Sequence, residues 1–491
     1  MLLTVSEYSN LNVQHFSIEA GKMYAIFKDG IIEKAKETYN QHLKFEAGEI
    51  SLKQLHTLQE NALRENIKYV VNNSPFYRER LQGLTAADID TLTTAKISSL
   101  PFTTKDDLRS HGASLASAPL HQSWIYCETT GTTGNPTPCP RNEVDSIHNN
   151  TPLIIHYRDI FAQHGENHIV GVMGPSELHS TGDTFEDVFR SMGHSVVKMW
   201  PRSPVVGMKR VLALINELRI TALVCTPAVA ISVARFIKDS GQDPATTSVR
   251  LILTVGELTT PALLRNIGDV WGAHVYSCMY ASQESSILAV CASDSHLYTI
   301  PLNNYYEIID PVSGKGYDIT KGQVTGELVI THLYQGQKPL IRYRTGDMVR
   351  STYMPDGSQK IVPIGRVRDV LTLNGTAYCA WDLEAALLEH LNGCLDYAIQ
   401  IDRKDHADVL NITVEMFNKD ADVAPVLSKV KAHLKQKIAG VEISLVIGET
   451  SGVTGTSAMV SWKAARIHDL RPAADNSDRE AALALINRGF K

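Results

Sequence analysis

From Leu55 onward, LHTLQENALRENIKYVV carries apolar residues at helical spacing, and the pattern breaks at NNSP. A helix is predicted here, ending in a turn before Pro75. The polar stretch PFTTKDDLRSH (101–111) predicts a second helix. Thr103 or Thr104 supplies the capping oxygen, and Lys105, Asp106 and Asp107 open the first turn. Further on, short apolar runs alternate with amphipathic ones. HIVGVMG (168–174), ALVCTP (222–227) and RLILTVGE (250–257) read as buried strands. GMKRVLALINELRI (207–220) and AVAISVARFIKDSG (228–241) read as helices between them. Such alternation predicts an α/β core with mostly parallel strands.

The period changes between about 298 and 362. NNYYEIID, GELVITHL and LIRYRTGDMV alternate as antiparallel strands do, which predicts a β-rich subdomain. After GRVRDVLTLNG (365–375), two helical stretches, WDLEAALLEHL and APVLSKVKAHLKQKI, are interleaved with YAIQIDRK, DVLNITVEMF and VEISLVIGE. That order predicts a compact α+β unit, and the boundary falls near Gly365. The expected division is a large α/β N-terminal domain (1–364) and a small α+β C-terminal domain (365–491). Residues 1–55 carry mixed signals and receive no assignment. The tail DNSDREAALALINRGFK reads as a surface helix.

Length and composition narrow the classes. A chain of 491 residues exceeds one hydrophobic core. A formal net charge of −6 argues against a nucleic-acid partner, though an anion pocket can be locally positive. No apolar run approaches the roughly 18 residues of a membrane span, and the N-terminus lacks a basic segment followed by an apolar one. The seven cysteines are odd in number and contain no CxxC, which fits free thiols in a reducing cytoplasm.

One stretch fits neither helix nor strand: ETTGTTGNPTP, from Glu128 to Pro138. Gly131 and Gly134 relieve steric limits, Thr129, Thr130, Thr132 and Thr133 offer hydroxyls, and Pro136 ends the loop. Successive N–H groups in such a turn can form a nest for phosphate. The GxxxxGK[ST] pattern is absent, so this is not a Walker A loop. The ordinary alternative is a Thr/Gly surface turn.

The stretch resembles the phosphate loop of the adenylate-forming (ANL) superfamily, of the type [ST]SGTTGxP, and the family's other motifs follow in order. VGEL (255–258) lies where these enzymes line the adenine pocket. YASQES (280–285) resembles YGxTE, YRTGD (343–347) matches the ribose-binding motif, and GRVRDVLTLNG matches the hinge motif GRxxDxIxxxG. WKAARIHDLR (462–471) is similar to the terminal GKxxR segment with the catalytic lysine. The flanks SPFYRERL…LPFTTKDDLR and CASDSHLY to YYEIIDPVSG are especially like the phenylacetate–CoA ligase branch. The likeness spans roughly residues 55–471; YRTGD with GRxxD is its specific part.

The resemblance implies an ATP-dependent acid activator. It would form acyl-AMP with Mg²⁺ and pass the acyl group to a thiol, coenzyme A being the family's commonest. A mobile C-terminal domain would turn about Arg368–Asp369. Asp347 would bind the ribose hydroxyls, Glu284 would hold Mg²⁺, and Tyr280, with Ala281 and Ser282, would lie against adenine. Gly256 and Glu257 would line the base pocket. Arg366 would reach phosphate or ribose oxygens in its forked geometry. Lys463 would stabilise charge on the transferring phosphoryl group. His179, in GPSELHSTG (174–182), would orient the substrate carboxylate. Each has a plain alternative: a turn aspartate, a cap glutamate, a core tyrosine, a surface ion pair, a surface lysine, a loop histidine.

Departures are visible. No lysine follows Asn135-Pro136-Thr137, Ala281 and Gln283 replace Gly and Thr, and Trp462 stands before Lys463 where the family has glycine. A carrier-protein phosphopantetheine or an amine remains an alternative acceptor, and a catalytically inactive binding protein is a third reading. The expected partners are a small carboxylic acid, aryl or arylacetic by branch, with a carrier protein or a second copy of the chain as further options. Cys225, Cys278, Cys291 and His296 are weighed as a zinc set, against the commoner reading of buried free cysteines.

Overall fold

The computed structural model describes residues 29–129, 136–418, 424–450 and 466–472. Two helices lead in. The first, α1 (Ile31–Glu46), lies in a region that the hydrophobic pattern leaves unassigned. The second, α2 (Leu52–Asn73), begins at a capping box in which Ser51 and Gln54 satisfy each other's backbone groups, and Leu63, Ile67 and Val70 form its buried stripe. Helix α3 (Lys105–His111) is capped by Thr104, with Asp107 completing a capping box. Thr103 is occupied elsewhere: its hydroxyl donates to the Ile341 carbonyl. A two-stranded hairpin, β1 (Ile125–Glu128) and β2 (Pro138–Arg141), precedes α4 (Glu143–Ala162).

The five-stranded sheet contains β3 (Ile169–Met173), β4 (Ser195–Lys198), β5 (Ala222–Cys225), β6 (Leu251–Thr254) and β7 (His274–Ser277). All pair in parallel in the order β4-β3-β5-β6-β7. The connecting helices are α5 (Thr181–Ser191), α6 (Gly207–Glu217), α7 (Pro227–Asp239) and α8 (Pro261–Trp271). β5 and β6 are buried along their whole length, as strands covered on both faces must be. Helix α8 shows the local logic clearly. Thr260 caps it, Pro261 fills the first turn, and Gly272 ends it with φ +59°, which a side chain would strain.

The antiparallel sheet is larger than the alternation implies. It runs from β8 (Met279–Ser282) through β9 (Ser286–Cys291), β10 (Leu297–Thr299), β11 (Asn304–Ile309), β12 (Gln323–His332) and β13 (Tyr343–Tyr353) to β14 (Gln359–Arg366). Its order is β11-β12-β13-β14-β10-β9-β8. The YASQES segment therefore belongs to this sheet.

Beyond β14 lie a small hairpin, β15 (Leu371–Leu373) with β16 (Thr376–Tyr378), and helix α9 (Ala380–Leu388). A four-stranded mixed sheet follows: β17 (Cys394–Lys404), β18 (Ala407–Met416), β19 (Glu442–Ile447) and β20 (Ile467–Asp469), with α10 (Ala424–Lys437) between β18 and β19. This unit packs on α7 and α8, and one apolar cluster runs through both sides, joining Trp271 and Ile267 to Leu387 and Leu395. Polar contacts frame it. Asn266 Nδ2 donates to Leu391 O at 3.0 Å and its Oδ1 accepts from Gly393 N at 2.9 Å. Arg235 pairs with Glu415 at 2.9 Å. Thr260 N donates to Glu384 Oε1 at 2.9 Å.

Arg466, just before β20, is fully buried in this contact. Its Nε meets Asp396 Oδ1 at 2.9 Å, and its Nη1 stands 3.7 Å from Glu257 Oε2. Burial opposes the guanidinium's charge, but Asp396 chiefly outweighs it and holds the proton on. Burial also pushes the Glu257 carboxyl up in spite of Arg466, so Asp396 is the arginine's close partner. Removing one member of a buried pair strands the other. We therefore expect Arg466→Ala to cost about 3–5 kcal/mol, read as a lowered denaturation midpoint. An unchanged midpoint would show that the pair does not hold β20 in place.

Candidate active site

The strand order places a crevice before any ligand is considered. In the sheet β4-β3-β5-β6-β7 the chain direction of winding reverses between β3 and β5, and open α/β sheets bind ligands at such a switch point, outside the carboxyl ends of the strands. The 174–182 loop with His179 follows β3 there, and Gly256 and Glu257 follow β6 on the same edge. Gly256 has φ +84°, which favours glycine.

The hairpin β1–β2 reaches this edge. Glu128 N donates to Leu178 O at 3.0 Å, joining the hairpin to the His179 loop. Thr129 N donates to Thr137 O at 3.1 Å, and Thr137 N donates to Thr129 Oγ1 at 3.0 Å, so this pair closes the base of the Thr/Gly loop. Thr130, Gly131, Thr132, Thr133 and Gly134 lie outside the described residues. His179 Nδ1 is 2.8 Å from Thr181 Oγ1, and its imidazole is pushed down to about 4, first by burial and then by Arg141. It is neutral at pH 7. Ser180 Oγ donates to Gln283 Oε1 at 2.9 Å, so the residue that departs from YGxTE ties the two loops together. Arg141, ending β2, is largely buried and donates to the Gln283 carbonyl at 3.2 Å.

The second half of the site is built on β13 and its neighbours. Gly346, with φ +72°, turns the strand just before Asp347. Asp347 is the register partner of Arg366 on β14. Arg366 Nε meets Asp347 Oδ1 at 2.8 Å, and Tyr280 OH donates to Asp347 Oδ2 at 2.6 Å. Each carboxylate oxygen thus has one partner and retains acceptor capacity for another. Four residues earlier on β13, Tyr343 OH donates to Glu284 Oε1 at 3.1 Å. Ala281 and Ser282 sit on β8, with Ser282 Oγ 2.6 Å from Ser285 Oγ. Arg368 and Asp369 form a single helical turn after Arg366; the Arg368 side chain is half exposed and Asp369 is buried.

Lys105 is the residue that motif reading missed. Its Nζ lies 3.1 Å from Glu284 Oε1, delivered from the first turn of α3. Two backbone bonds fix that helix to β13: Thr103 N to Arg342 O at 3.0 Å and Arg344 N to Thr103 O at 2.9 Å. The sequence carries no signal for it, because a lysine in the first turn of a capped helix, beside Asp106 and Asp107, reads as an ordinary helix opening. Burial alone would raise Glu284, but the Lys105 ammonium, with Arg366 further off, holds it down at about 2.

The expected positions meet in two clusters: His179, Ser180 and Gln283 with Arg141, and Tyr280, Asp347 and Arg366 beside Glu284, Tyr343 and Lys105. Glu257 faces Arg466. Lys463 and Trp462 lie outside the described residues. The zinc set does not assemble. Cys225 and Cys278 are deeply buried, Cys291 Sγ donates to the Ala292 carbonyl, and His296 turns outward to Asp294 at 3.1 Å. The only group of three metal-ligating side chains found among the described residues lies elsewhere. Nor is any described helix long and apolar enough to cross a membrane.

These features define a nucleotide-binding α/β enzyme. The profile of the family described as AMP-binding enzyme matches residues 49–334, more than half of the chain, and the chain belongs to that family. It is an AMP-forming ligase of the acid–thiol type. A phenylacetate-coenzyme A ligase of Pseudomonas putida is 27% identical over 376 residues, spanning 74% of this chain and 83% of that protein. The solved structure of 2-hydroxyisobutyryl-CoA ligase in its postadenylation state with R3-HIB-AMP overlays with a TM-score of 0.70 at 19% identity, covering 90% of this chain and 93% of the other. The same ligase in its thioesterification state with 2-HIB-AMP and CoA gives 0.57 at the same identity and coverage.

The Lys105–Glu284 pair has a pH signature. A carboxyl held at about 2 contributes stability that is fully present above the usual carboxylate value and is lost as pH falls toward about 2. In Lys105→Met the buried Glu284 loses its main counter-charge and its folded-state carboxyl rises, so the variant should be less stable than the parent at neutral pH, and the acid-side loss of stability seen in the parent should shrink or reverse. Thermal melts from about pH 3 to about pH 7 check this. Superimposable curves for the two proteins would show that Lys105 does not set the charge of Glu284.

Proposed function

We propose that the protein activates an aryl or arylacetic acid as its acyl-adenylate with ATP and then passes the acyl group to coenzyme A. The observation that carries this reading is that β13 presents both Asp347, joined to Arg366 and Tyr280, and Tyr343, whose hydroxyl donates to a buried Glu284 held down at about 2. The Asp347 cluster suits a nucleoside and Glu284 a hard cation. The acid class rests on the phenylacetate-coenzyme A ligases among the relatives.

In this reading Asp347 accepts from the ribose hydroxyls through the lone pairs that Arg366 and Tyr280 leave open. The Tyr280 ring offers its face to adenine. The Glu257 carboxyl is buried against Arg466, so the 255–258 segment meets the base through its backbone. The threonine loop receives the phosphates, and Arg141 at its base adds positive potential on a chain whose net charge is negative. Glu284 would hold Mg²⁺, and the divalent charge there would offset that of the phosphates. Neutral His179 donates a hydrogen bond to the attacking carboxylate. Because it carries no charge there, it orients the nucleophile without quenching it.

Arg368–Asp369 serves as the pivot between the two steps, with residues 365–491 as the moving unit. Support comes from the solved ligase, whose two states overlay this chain unequally over the same coverage. Lys463 stands three residues before Arg466, which is anchored at the wall formed by Glu257. Its role is to stabilise charge on the α-phosphate during carboxylate attack, a need that disappears once the thiol attacks the acyl carbonyl and AMP leaves.

A panel of carboxylic acids scored by acid-dependent ATP–pyrophosphate exchange, followed by free CoA as sole acceptor, tests the reading. Exchange with aryl acids and thioester formation are expected. Exchange confined to aliphatic acids would overturn the acid class. Turnover only with a carrier protein or an amine would overturn the acceptor. In the same assay Lys463→Ala should lose exchange by about 10²–10³-fold, while converting supplied acyl-AMP to thioester at close to the normal rate. Intact exchange would remove Lys463 from the first step.

A further inference from the structure

Far from the crevice, the C-terminal unit gathers a different chemistry. Glu389 ends α9, His390 follows it, and His433 projects from α10. One ligand atom from each lies within 4.8 Å of the other two. From this geometry we propose that Glu389, His390 and His433 bind one divalent transition-metal ion of the zinc type.

Three observations carry the proposal. His433 Nε2 is 2.9 Å from Glu389 Oε2, yet this buried nitrogen makes no hydrogen bond. The distance is right and the direction is wrong. Two donor atoms that close, with no proton aligned between them, are disposed as ligands sharing a centre are. With bonds of about 2.0–2.1 Å, neighbouring ligands of a tetrahedral zinc stand about 3.3 Å apart. The rings of His390 and His433 meet edge to face, with centroids 4.7 Å apart and planes at 80°. Crossed rings can both aim an in-plane nitrogen lone pair at one point. Finally, two imidazoles and one carboxylate suit zinc, cobalt or nickel, whereas magnesium and calcium take oxygen ligands. Three protein ligands leave a fourth position for water.

The position gives the ion something to do. Leu388 O accepts from Arg265 Nη2 at 3.2 Å, and Leu391 O accepts from Asn266 Nδ2 at 3.0 Å. Residues 389 and 390 lie between these two anchors. A metal clamped there from α10 would stiffen the segment through which the C-terminal unit rests on α8. The ion takes no part in the acid activation proposed above, and its site stands or falls independently of that function.

The test uses the full-length untagged protein, stripped with a chelator and titrated with Co²⁺ and Zn²⁺. One Co²⁺ per chain is expected, with visible ligand-field bands that Zn²⁺ abolishes. His390→Ala and His433→Ala should each weaken binding by at least about 100-fold, since even an outer-shell partner is worth 10–100-fold. Glu389→Gln should weaken it and change the Co²⁺ spectrum. His296→Ala removes the exposed histidine paired with Asp294 and should bind as the parent does. Near-UV circular dichroism confirms that each variant is folded. The proposal is overturned if the parent takes up no stoichiometric ion, if the His390 and His433 variants bind as well as the parent, or if His296→Ala loses binding equally.

Discussion

Two carboxylates shut inside the protein set the terms for the site. Asp347 and Glu284 are both nearly excluded from water, and an isolated buried carboxylate neutralises itself by taking up a proton. Each faces a cation, Arg366 beside Asp347 and Lys105 beside Glu284, and Lys105 holds the Glu284 carboxyl down at about 2. Strand β13 presents Tyr343 and Asp347 in a row, β14 returns antiparallel to bring Arg366 opposite, and Thr103 pins α3 to the same strand so that Lys105 arrives. The antiparallel sheet is thus what brings together charges that are far apart in sequence.

How much of this was legible depended on which side chains face inward. The strands β3, β5 and β6 announce themselves because both faces are buried and nearly every residue is apolar. Helix α1 does not, because its buried face includes Thr38 and His42, and His42 is satisfied by Asn303 at 3.2 Å. Helix α4 hides for the same reason: Glu143, Asp145, Asn149 and Pro152 are all buried. A hydrophobic pattern cannot register an inward-facing polar group whose partner is more than a hundred residues away. Strand β20 is likewise a product of distance, since it pairs in parallel with β17. The motif residues of the site were readable, while the cations that make them tolerable were not. Lys105 reads as an ordinary helix opening, and Arg141 is the last residue of a strand that contains two prolines.

The crevice illustrates how topology and charge divide the work. The reversal between β3 and β5 opens a cleft, and the loops after β3 and β6 supply its rim. Gln283 then welds the rim to the other half of the site, accepting from Ser180 through its side chain and from Arg141 through its backbone. A threonine at that position has too short a side chain to span the same gap. The departure from the YGxTE pattern is thus coupled to the His179 loop, and a substitution that looks like a loss at one motif acts as a brace between two.

The same economy applies to the C-terminal unit. Its contact with α7 and α8 is an apolar seam crossed by a few directed bonds, with Arg466 buried in it beside Asp396 and facing Glu257. A seam of this kind can hold a preferred orientation without fusing the two sides, because polar groups parted across it would bond water instead at small net cost. Arg466 is the exception. Drawing it out of the seam would separate it from Asp396 or carry both into water together. Asp396 lies on β17, within the same unit as Arg466. The rotation proposed above, if the unit turns as one body, would therefore keep the 2.9 Å pair intact and release Arg466 only from the long contact to Glu257, whose carboxyl burial already disfavours as an anion. Under that proposal the strong bond of the buried arginine would travel with the C-terminal unit and its weak one would be left behind.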